Sequence, residues 1–221
     1  MKTIATSLIH RVLPPEEAAG VSRHPAVIFL HGRGADEEDL LGVAPLLDPR
    51  FFLLSVRAPF PFPGGGYTWY DLEQIGSPDP VTFHAGYRKL SGFLDDAIGE
   101  YPIDPRRVCL FGFSMGSVMS YALALTRPHA IRAVAAASGY LPEIPGLKYR
   151  WKDLSRTEFF VTHGTEDPVI PVALARRAYE QMAANAAAVT YREYPMAHTL
   201  GEQALADLVA WISGFADERG H

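Results

Sequence analysis

The hydrophobic positions of the chain alternate between short apolar runs and longer amphipathic segments. Apolar runs bounded by turn-forming residues predict strands, most of them buried on both faces, at 26–30, 51–56, 108–113, 133–137, 159–162 and 189–194. One more strand is predicted between Ile4 and Leu13. Helical spacing of apolar residues predicts helices over about 87–98, 115–126, 172–184 and 200–215. This alternation predicts an α/β fold with a mainly parallel central sheet and helices on both faces.

Two connections, 58–86 and 139–157, are long and irregular. Loops of this length inside a compact domain are usually functional or disordered. Their aromatic side chains favour packed walls, which either cap the core or bind a substrate; the two interpretations are equally supported. Sheets of this kind place their sites at the carboxyl ends of the strands, so we expect the chemistry there.

The composition excludes several classes of protein. The chain has 221 residues, of which 48% are apolar, which suits one large domain over 1–221. Its net charge of -5 and its scattered Lys and Arg residues give no basic face, so we expect no nucleic-acid partner. No segment resembles a signal peptide or a membrane span, and Cys109 is the one cysteine. We therefore expect a cytoplasmic protein without disulfides.

A serine between two glycines follows one of the apolar runs. The stretch "VCLFGFSMGS" places Ser114 between Gly112 and Gly116, with a predicted strand before it and a predicted helix after it. This is the context of a nucleophile held on a sharp strand-to-helix turn, where the glycines let strand and helix approach each other closely. We therefore interpret Ser114 as a nucleophile.

A nucleophilic serine needs a base, and the base needs an acid to orient it. On this fold the expected chain order is Ser, acid, His, each just past a strand. The turn in "FFVTHGTEDPVIP" offers Asp167 and Glu166; Asp167 is favoured because the proline after it helps to fix the turn. His198, in "PMAHTL" after a strand, follows the acid as the order requires, whereas His163 precedes it. We predict Asp167 as the acid and His198 as the base.

Catalysis by such a serine also needs donors for the oxyanion. One is expected from the backbone N–H of Met115, directly after the nucleophile. The second is expected from a turn after an early strand, and "VIFLHGRGADEEDL" supplies a buried strand followed by two glycines. We assign the second donor to the N–H of Arg33.

With these motifs the sequence resembles the phospholipase/carboxylesterase family of α/β-hydrolases, which includes small bacterial carboxylesterases and acyl-protein thioesterases. The resemblance spans nearly the whole chain and rests on five stretches, "LHGRGADEEDL", "GGGYTWYDLE", "LFGFSMGS", "HGTEDPVIP" and "AHTL". It implies an α/β-hydrolase fold and the same five residues as triad and oxyanion hole. It also implies that Trp69, Tyr70 and Asp71 lie beside an acyl pocket. A homodimer is an alternative that the resemblance leaves open.

The sequence departs from the family at three informative positions. Acyl-protein thioesterases commonly carry glutamine at the position of Met115 and glycine at that of Ala197. Position 33 is often leucine in the family, so the Arg33 side chain either meets an anionic group of the substrate or lies in solvent.

We expect a serine carboxylesterase without a cofactor, a bound metal or a separate cap domain, acting on small or short-acyl esters bound partly by Trp69, Tyr70 and Arg33. An acyl-protein thioesterase or lysophospholipase with the same triad is the alternative, and a non-catalytic binding protein on this scaffold is a more remote one. The hypothesis of a metal-dependent hydrolase has still less support, since the sequence contains no metal-ligand motif.

Overall fold

The strands alternate with helices along the chain, as the hydrophobic pattern predicts. The computed structural model describes residues 3–16 and 22–217; the other residues of the predicted 1–221 domain lie outside the described part. Within it the strands are β1 (His10–Leu13), β2 (His24–Leu30), β3 (Phe52–Val56), β4 (Phe60–Pro61), β5 (Tyr67–Thr68), β6 (Leu72–Gln74), β7 (Ser77–Pro78), β8 (Ile103–Phe113), β9 (Ala133–Ala137), β10 (Glu158–Gly164) and β11 (Ala188–Tyr194). The α-helices are α1 (Pro80–Glu100), α2 (Met115–Thr126), α3 (Val172–Ala184) and α4 (Glu202–Ser213).

Seven of the described strands form the central sheet, in the order β1-β3-β2-β8-β9-β10-β11. Strand β1 is antiparallel to β3, and the other pairs are parallel. The predicted mainly parallel sheet is therefore confirmed. Because neighbouring parallel strands end on the same side, the carboxyl ends of β2, β8, β10 and β11 meet at one edge of the sheet.

Strand β2 shows how the sheet separates two cores. Side chains alternate along a strand, so Ile28 and Leu30 face one layer, whereas Val27 and Phe29 face the other. Apolar side chains of α1, α2 and α3 pack on the first face. Helix α4 and a short 3-10 helix at Asp39–Leu46 pack on the second. Helices thus cover both faces, and no separate cap lies over the sheet in the described residues.

The sequence placed one helix boundary wrongly and missed the structure inside one connection. Helix α1 begins at Pro80 rather than near residue 87, because the Asp79 carboxylate caps it by accepting a 2.8 Å hydrogen bond from the Thr82 N–H. The 58–86 connection is not irregular throughout: it contains the ribbons β4-β5 and β6-β7. The 3-10 helix at Asp39–Leu46 was also not predicted.

Backbone contacts without intervening side chains fix the centre of the sheet against α2. A Cβ atom at Gly116 would lie 1.8 Å from the Leu30 carbonyl oxygen, and one at Gly112 would lie 2.6 Å from the Gly116 carbonyl. Real Cβ atoms do not approach backbone so closely. Helix α2 can therefore contact β2 and β8 only because both positions are glycine.

We expect Gly116→Ala to lower the free energy of unfolding by about 3 kcal/mol or more, because helix α2 must move away from β2 to admit the methyl group. Urea unfolding followed by circular dichroism measures the change. Gly99→Ala is the matched control: an added Cβ there meets nothing within 4 Å. It should raise stability by up to about 1 kcal/mol through helix propensity. Equal stability of the two variants would contradict the packing argument.

Candidate active site

Ser114 occupies the turn between β8 and α2 in a strained backbone conformation. Its φ of 54° and ψ of -118° are rare for a residue with a side chain. Strand β9 anchors this turn through the Ala137 carbonyl. The Ser114 N–H donates to that carbonyl at 2.9 Å, and the Ser117 hydroxyl donates to it at 2.7 Å. The turn thus presents the Ser114 hydroxyl at the carboxyl edge of the sheet, with 8% of the residue exposed.

His198 links this serine to a carboxylate. The Ser114 Oγ lies 2.9 Å from His198 Nε2, and His198 Nδ1 lies 2.7 Å from Asp167 Oδ2. In the neutral ring this geometry has Nδ1–H donating to the carboxylate while Nε2 accepts from the serine hydroxyl. The Phe113 ring packs beside the imidazole, with 5.0 Å between ring centroids. The structure thus brings the three predicted side chains together in the predicted order.

The loop after β10 keeps Asp167 ionised. The carboxylate side chain is fully buried, and burial alone would raise its pKa. Hydrogen bonds from His198 and from the backbone N–H groups of Ile170 and Val169 outweigh that effect and lower the pKa of Asp167 below its usual range. Glu166, the alternative acid, is exposed, and the hydrogen bond to His198 Nδ1 is made by Asp167 instead. Asp167 is therefore the carboxylate paired with His198.

His163 is a buried histidine behind this carboxylate that the sequence interpretation set aside. Its Nε2 donates to the Ile170 carbonyl at 2.8 Å and lies 3.3 Å from Asp167 Oδ2. Burial lowers the pKa of His163 despite that carbonyl and the nearby carboxylate. A neutral His163 therefore ties the two ends of the Asp167 loop together.

The two predicted oxyanion donors line the same cavity as Ser114. Met115 is the first residue of α2, so its N–H has no partner within the helix. Among the described residues, neither the Met115 N–H nor the Arg33 N–H donates to a protein acceptor. The helix dipole adds a partial positive charge at the Met115 end. Both amides are therefore available to a developing negative charge.

His31 and Trp69 hold the turn that carries Arg33. The His31 Nδ1 donates to the Gly32 carbonyl at 2.6 Å, and its Nε2 accepts from the Ala58 N–H at 3.0 Å. The Trp69 indole N–H donates to the His31 carbonyl at 2.9 Å. Trp69 is fully buried and is not among the described residues that line the cavity, whereas its indole supports the turn that carries Arg33.

The cavity beside Ser114 is small and mostly apolar. Its volume is about 190 Å³, below the ~300–1,000 Å³ typical of sites for drug-sized ligands. It is lined by Gly32, Arg33, Tyr70, Leu72, Ile75, Phe113, Ser114, Met115, Tyr140, Val169, Ile170 and His198. The hydroxyls of Tyr70 and Tyr140 lie 3.2 Å apart, and burial raises the pKa of both groups, so they stay neutral. The cavity thus combines apolar walls with few polar groups.

Several of these residues were not identified from the sequence. The walls at Leu72, Ile75 and Val169 belong to connections of the central sheet whose course depends on long-range packing, so no local signal marks them. His31 and His163 did have a signal, since each stands before a glycine at or just beyond the end of a buried strand. Asp71 is exposed, and its backbone N–H and carbonyl bond Thr82 and Asp79, so it braces the loop.

The sequence model of the family described as Phospholipase/Carboxylesterase matches residues 16–215. The chain belongs to this family. The predicted resemblance is thus confirmed, and the phospholipase/carboxylesterase family makes the chain a serine hydrolase acting on ester or thioester bonds.

Relatives and solved structures agree with this family. Acyl-protein thioesterase 1 of Candida albicans is 27% identical over 91% of this chain and 96% of its own length. Lysophospholipase-like protein 1 of Mus musculus is 25% identical over 93% of this chain and 92% of its own. The Bacillus cereus carboxylesterase superposes with a TM-score of 0.83 at 22% identity, covering 94% of each chain. A Mesorhizobium loti carboxylesterase superposes with a TM-score of 0.81 at 20% identity, covering 95% of this chain and 96% of that one. These structures confirm the α/β-hydrolase fold.

The described residues contain neither a membrane-spanning helix nor a cluster of metal-ligating side chains. In residues 3–16 and 22–217, no helix has the length and apolar character to cross a membrane. Over the same residues, no three His, Cys, Asp or Glu side chains cluster in a way that could hold a metal ion.

We expect the protein to lose stability as the pH falls from 7.5 to 5.5. Burial lowers the pKa of His31 and of His163 in the folded state. Below about pH 6.5 the unfolded chain therefore binds more protons at these histidines than the folded chain does, which stabilises the unfolded state. Each such histidine contributes a slope of at most about 1.4 kcal/mol per pH unit. Urea unfolding at several pH values measures the slope.

His163→Gln should reduce this slope, because the glutamine amide can still donate to the Ile170 carbonyl but does not titrate. His129→Gln, at an exposed histidine, controls for the loss of an imidazole as such. A slope in His163→Gln as steep as in the parent would contradict a neutral buried His163, whatever the absolute stability of the variant.

Proposed function

We propose that the chain is a serine carboxylesterase that hydrolyses small or short-acyl carboxylic esters through an acyl-enzyme. The observation that carries the proposal is the continuous hydrogen-bonded series from Ser114 Oγ through His198 to Asp167, at 2.9 and 2.7 Å. Those distances are within the range that a nucleophile, its base and the orienting acid require.

The first half of the reaction acylates Ser114. As Ser114 Oγ attacks the ester carbonyl, His198 Nε2 takes its proton, and the charge on the carbonyl oxygen is stabilised by the N–H groups of Arg33 and Met115. Asp167 stabilises the imidazolium without taking its proton. His198 then gives the proton to the departing alcohol, which leaves as the carbonyl re-forms.

The second half frees the enzyme. A water oxygen attacks the acyl carbonyl while His198 takes a proton from that water. The N–H groups of Arg33 and Met115 stabilise the second oxyanion. The proton returns to Ser114 Oγ as the acid product leaves. Since the lowered pKa of Asp167 keeps this carboxylate charged throughout the neutral range, it can stabilise the imidazolium in both halves.

The size of the cavity supports a small acyl group. A volume of about 190 Å³, walled by Leu72, Ile75 and Val169 without a cap, offers little buried surface to a long chain. A thioesterase or lysophospholipase would use the same triad, and two relatives carry those names. Met115 and Ala197, where thioesterases commonly have glutamine and glycine, favour the esterase. A non-catalytic scaffold would have no need of the paired triad.

The proposal extends to the domain organisation, the cofactor requirement and the location of the protein. We propose that the chain works as a single domain on a small-molecule ester, without a cofactor and in the cytoplasm. Whether it forms a homodimer is left to measurement of its mass in solution.

We expect Ser114→Ala to lower kcat for a 4-nitrophenyl acetate assay about 10⁶-fold, because the nucleophile is lost. Asp167→Asn should lower it about 10⁴-fold, through loss of the histidine's orientation and charge stabilisation. Glu166→Gln, at the neighbouring exposed carboxylate, is the matched control and should keep parental activity. A fluorophosphonate probe should label the parent and not Ser114→Ala; parental rates in Ser114→Ala would refute the mechanism.

We expect the rate to be highest for acyl chains of two to four carbons in a series of 4-nitrophenyl esters, because longer chains exceed the cavity. Ile75→Ala should move the optimum to longer chains by opening one wall, whereas Val81→Ala, at an exposed valine, should not. A rate that climbs steadily to long chains, or a preference for palmitoyl over acetyl thioesters, would instead favour the lysophospholipase or thioesterase alternative.

A further inference from the structure

Arg33 is an exposed residue that lines the cavity, and its side chain carries a fixed positive charge. Among the described residues that line the cavity, Arg33 is the one with a permanent charge, and none is a carboxylate. Its backbone N–H is the proposed second oxyanion donor, so in the proposed mechanism the residue lies beside the scissile carbonyl. The charge therefore belongs to a residue beside the proposed reaction site, where it is accessible to a charged group of the substrate.

The described carboxylates that follow Arg33 in the chain form no ion pair with it, and two of them pair with other arginines. Glu37 forms a two-point ion pair with Arg57 at 2.5 and 2.6 Å. Glu38 pairs with Arg11, and Asp36 accepts a hydrogen bond from the Glu38 N–H at 2.9 Å. Within the part of the chain that the structure describes, no carboxylate contacts the Arg33 guanidinium.

The guanidinium is positioned on an aromatic ring. Its central carbon lies 5.1 Å from the centroid of Phe62, a cation–π contact that leaves the N–H donors of the fork unused. Phe62 belongs to a tight turn in which its N–H donates to the Gly66 carbonyl at 2.9 Å. A Cβ atom at Gly66 would lie 2.2 Å from the Gly34 carbonyl oxygen. The glycine-rich turn thus packs against the backbone that carries Arg33 and holds the Phe62 ring under its side chain.

We propose that Arg33 binds a free carboxylate of the substrate, so that the preferred substrates are small esters carrying one carboxylate near the scissile bond. The planar guanidinium matches a carboxylate in two parallel hydrogen bonds, and one cation balances one carboxylate charge, whereas a phosphate monoester would leave charge unmatched. The apolar walls accommodate the carbon chain between the two groups. This inference rests on the proposed esterase function, and it names the substrate class of that site.

The test uses two pairs of esters that differ in charge but hardly in shape. Monoethyl succinate and ethyl levulinate compare a carboxylate with a methyl ketone in the acyl half. Carboxymethyl butanoate and 2-oxopropyl butanoate make the same comparison in the alcohol half. Proton release at pH 7.5 gives kcat/KM for each ester, and the quantity read is the ratio of charged to neutral ester within a pair.

The parental protein should favour the charged ester about tenfold or more in one pair, which identifies the half that carries the carboxylate. Arg33→Gln should bring that ratio close to one, and Arg33→Lys should retain part of it, since it keeps the charge without the fork. Arg88→Gln, at an exposed arginine of α1 outside the cavity, removes the same charge elsewhere and should keep the parental ratio. High salt should lower the ratio in the parent.

A ratio near one in both parental pairs, or a parental ratio retained in Arg33→Gln, would overturn the inference. In that event Ser114-dependent hydrolysis of the neutral esters would leave the proposed function standing. Absence of hydrolysis of all four esters, with no labelling of Ser114 by a fluorophosphonate, would overturn both.

Discussion

Helix α2 begins in contact with the backbone of strand β2, where a Cβ atom on Gly116 would lie 1.8 Å from the Leu30 carbonyl oxygen. This contact sets the depth at which α2 sits on the sheet. It thereby sets the position of the Met115 N–H relative to the turn after β2, where the Arg33 N–H lies. Similar glycine contacts recur at the other loops of the site: a Cβ at Gly164 would lie 2.1 Å from the Met196 carbonyl. The site is thus positioned by backbone packing before any side chain is considered.

Where local pattern governs, the sequence predicted the structure closely. Strand β9 and helices α2 and α3 have the predicted bounds, because apolar periodicity and flanking turn residues define them. The fold class follows from the same alternation. The glycines around Ser114, the chain order, the positions after strands and the proline after Asp167 together selected the three residues that the structure brings within hydrogen-bond distance, although their catalytic roles stay predictions. The start of α1 was missed because Pro80 suggests a loop, whereas behind a capping Asp79 it suits a first helical position.

What could not be predicted depends on contacts between distant parts of the chain. The family resemblance implies that Trp69 lies beside the acyl pocket, but it could not reveal that the Trp69 indole N–H donates to the His31 carbonyl, 38 positions earlier. His163 was passed over because it precedes the acid in the chain, and its role depends on a buried neighbourhood that spacing does not reveal. The cavity walls combine residues from six separate segments of the chain between Gly32 and His198, so their identity requires the assembled sheet.

Ser114 holds a backbone conformation that glycine would adopt with less strain, since φ is 54° there. Such strain costs on the order of 1–3 kcal/mol. Folding stability at this position therefore favours a residue that has no hydroxyl, whereas ester hydrolysis requires one. The fold and the proposed reaction place opposing demands on a single residue, so a search for more stable variants of this chain that ignored activity would tend to remove its proposed nucleophile.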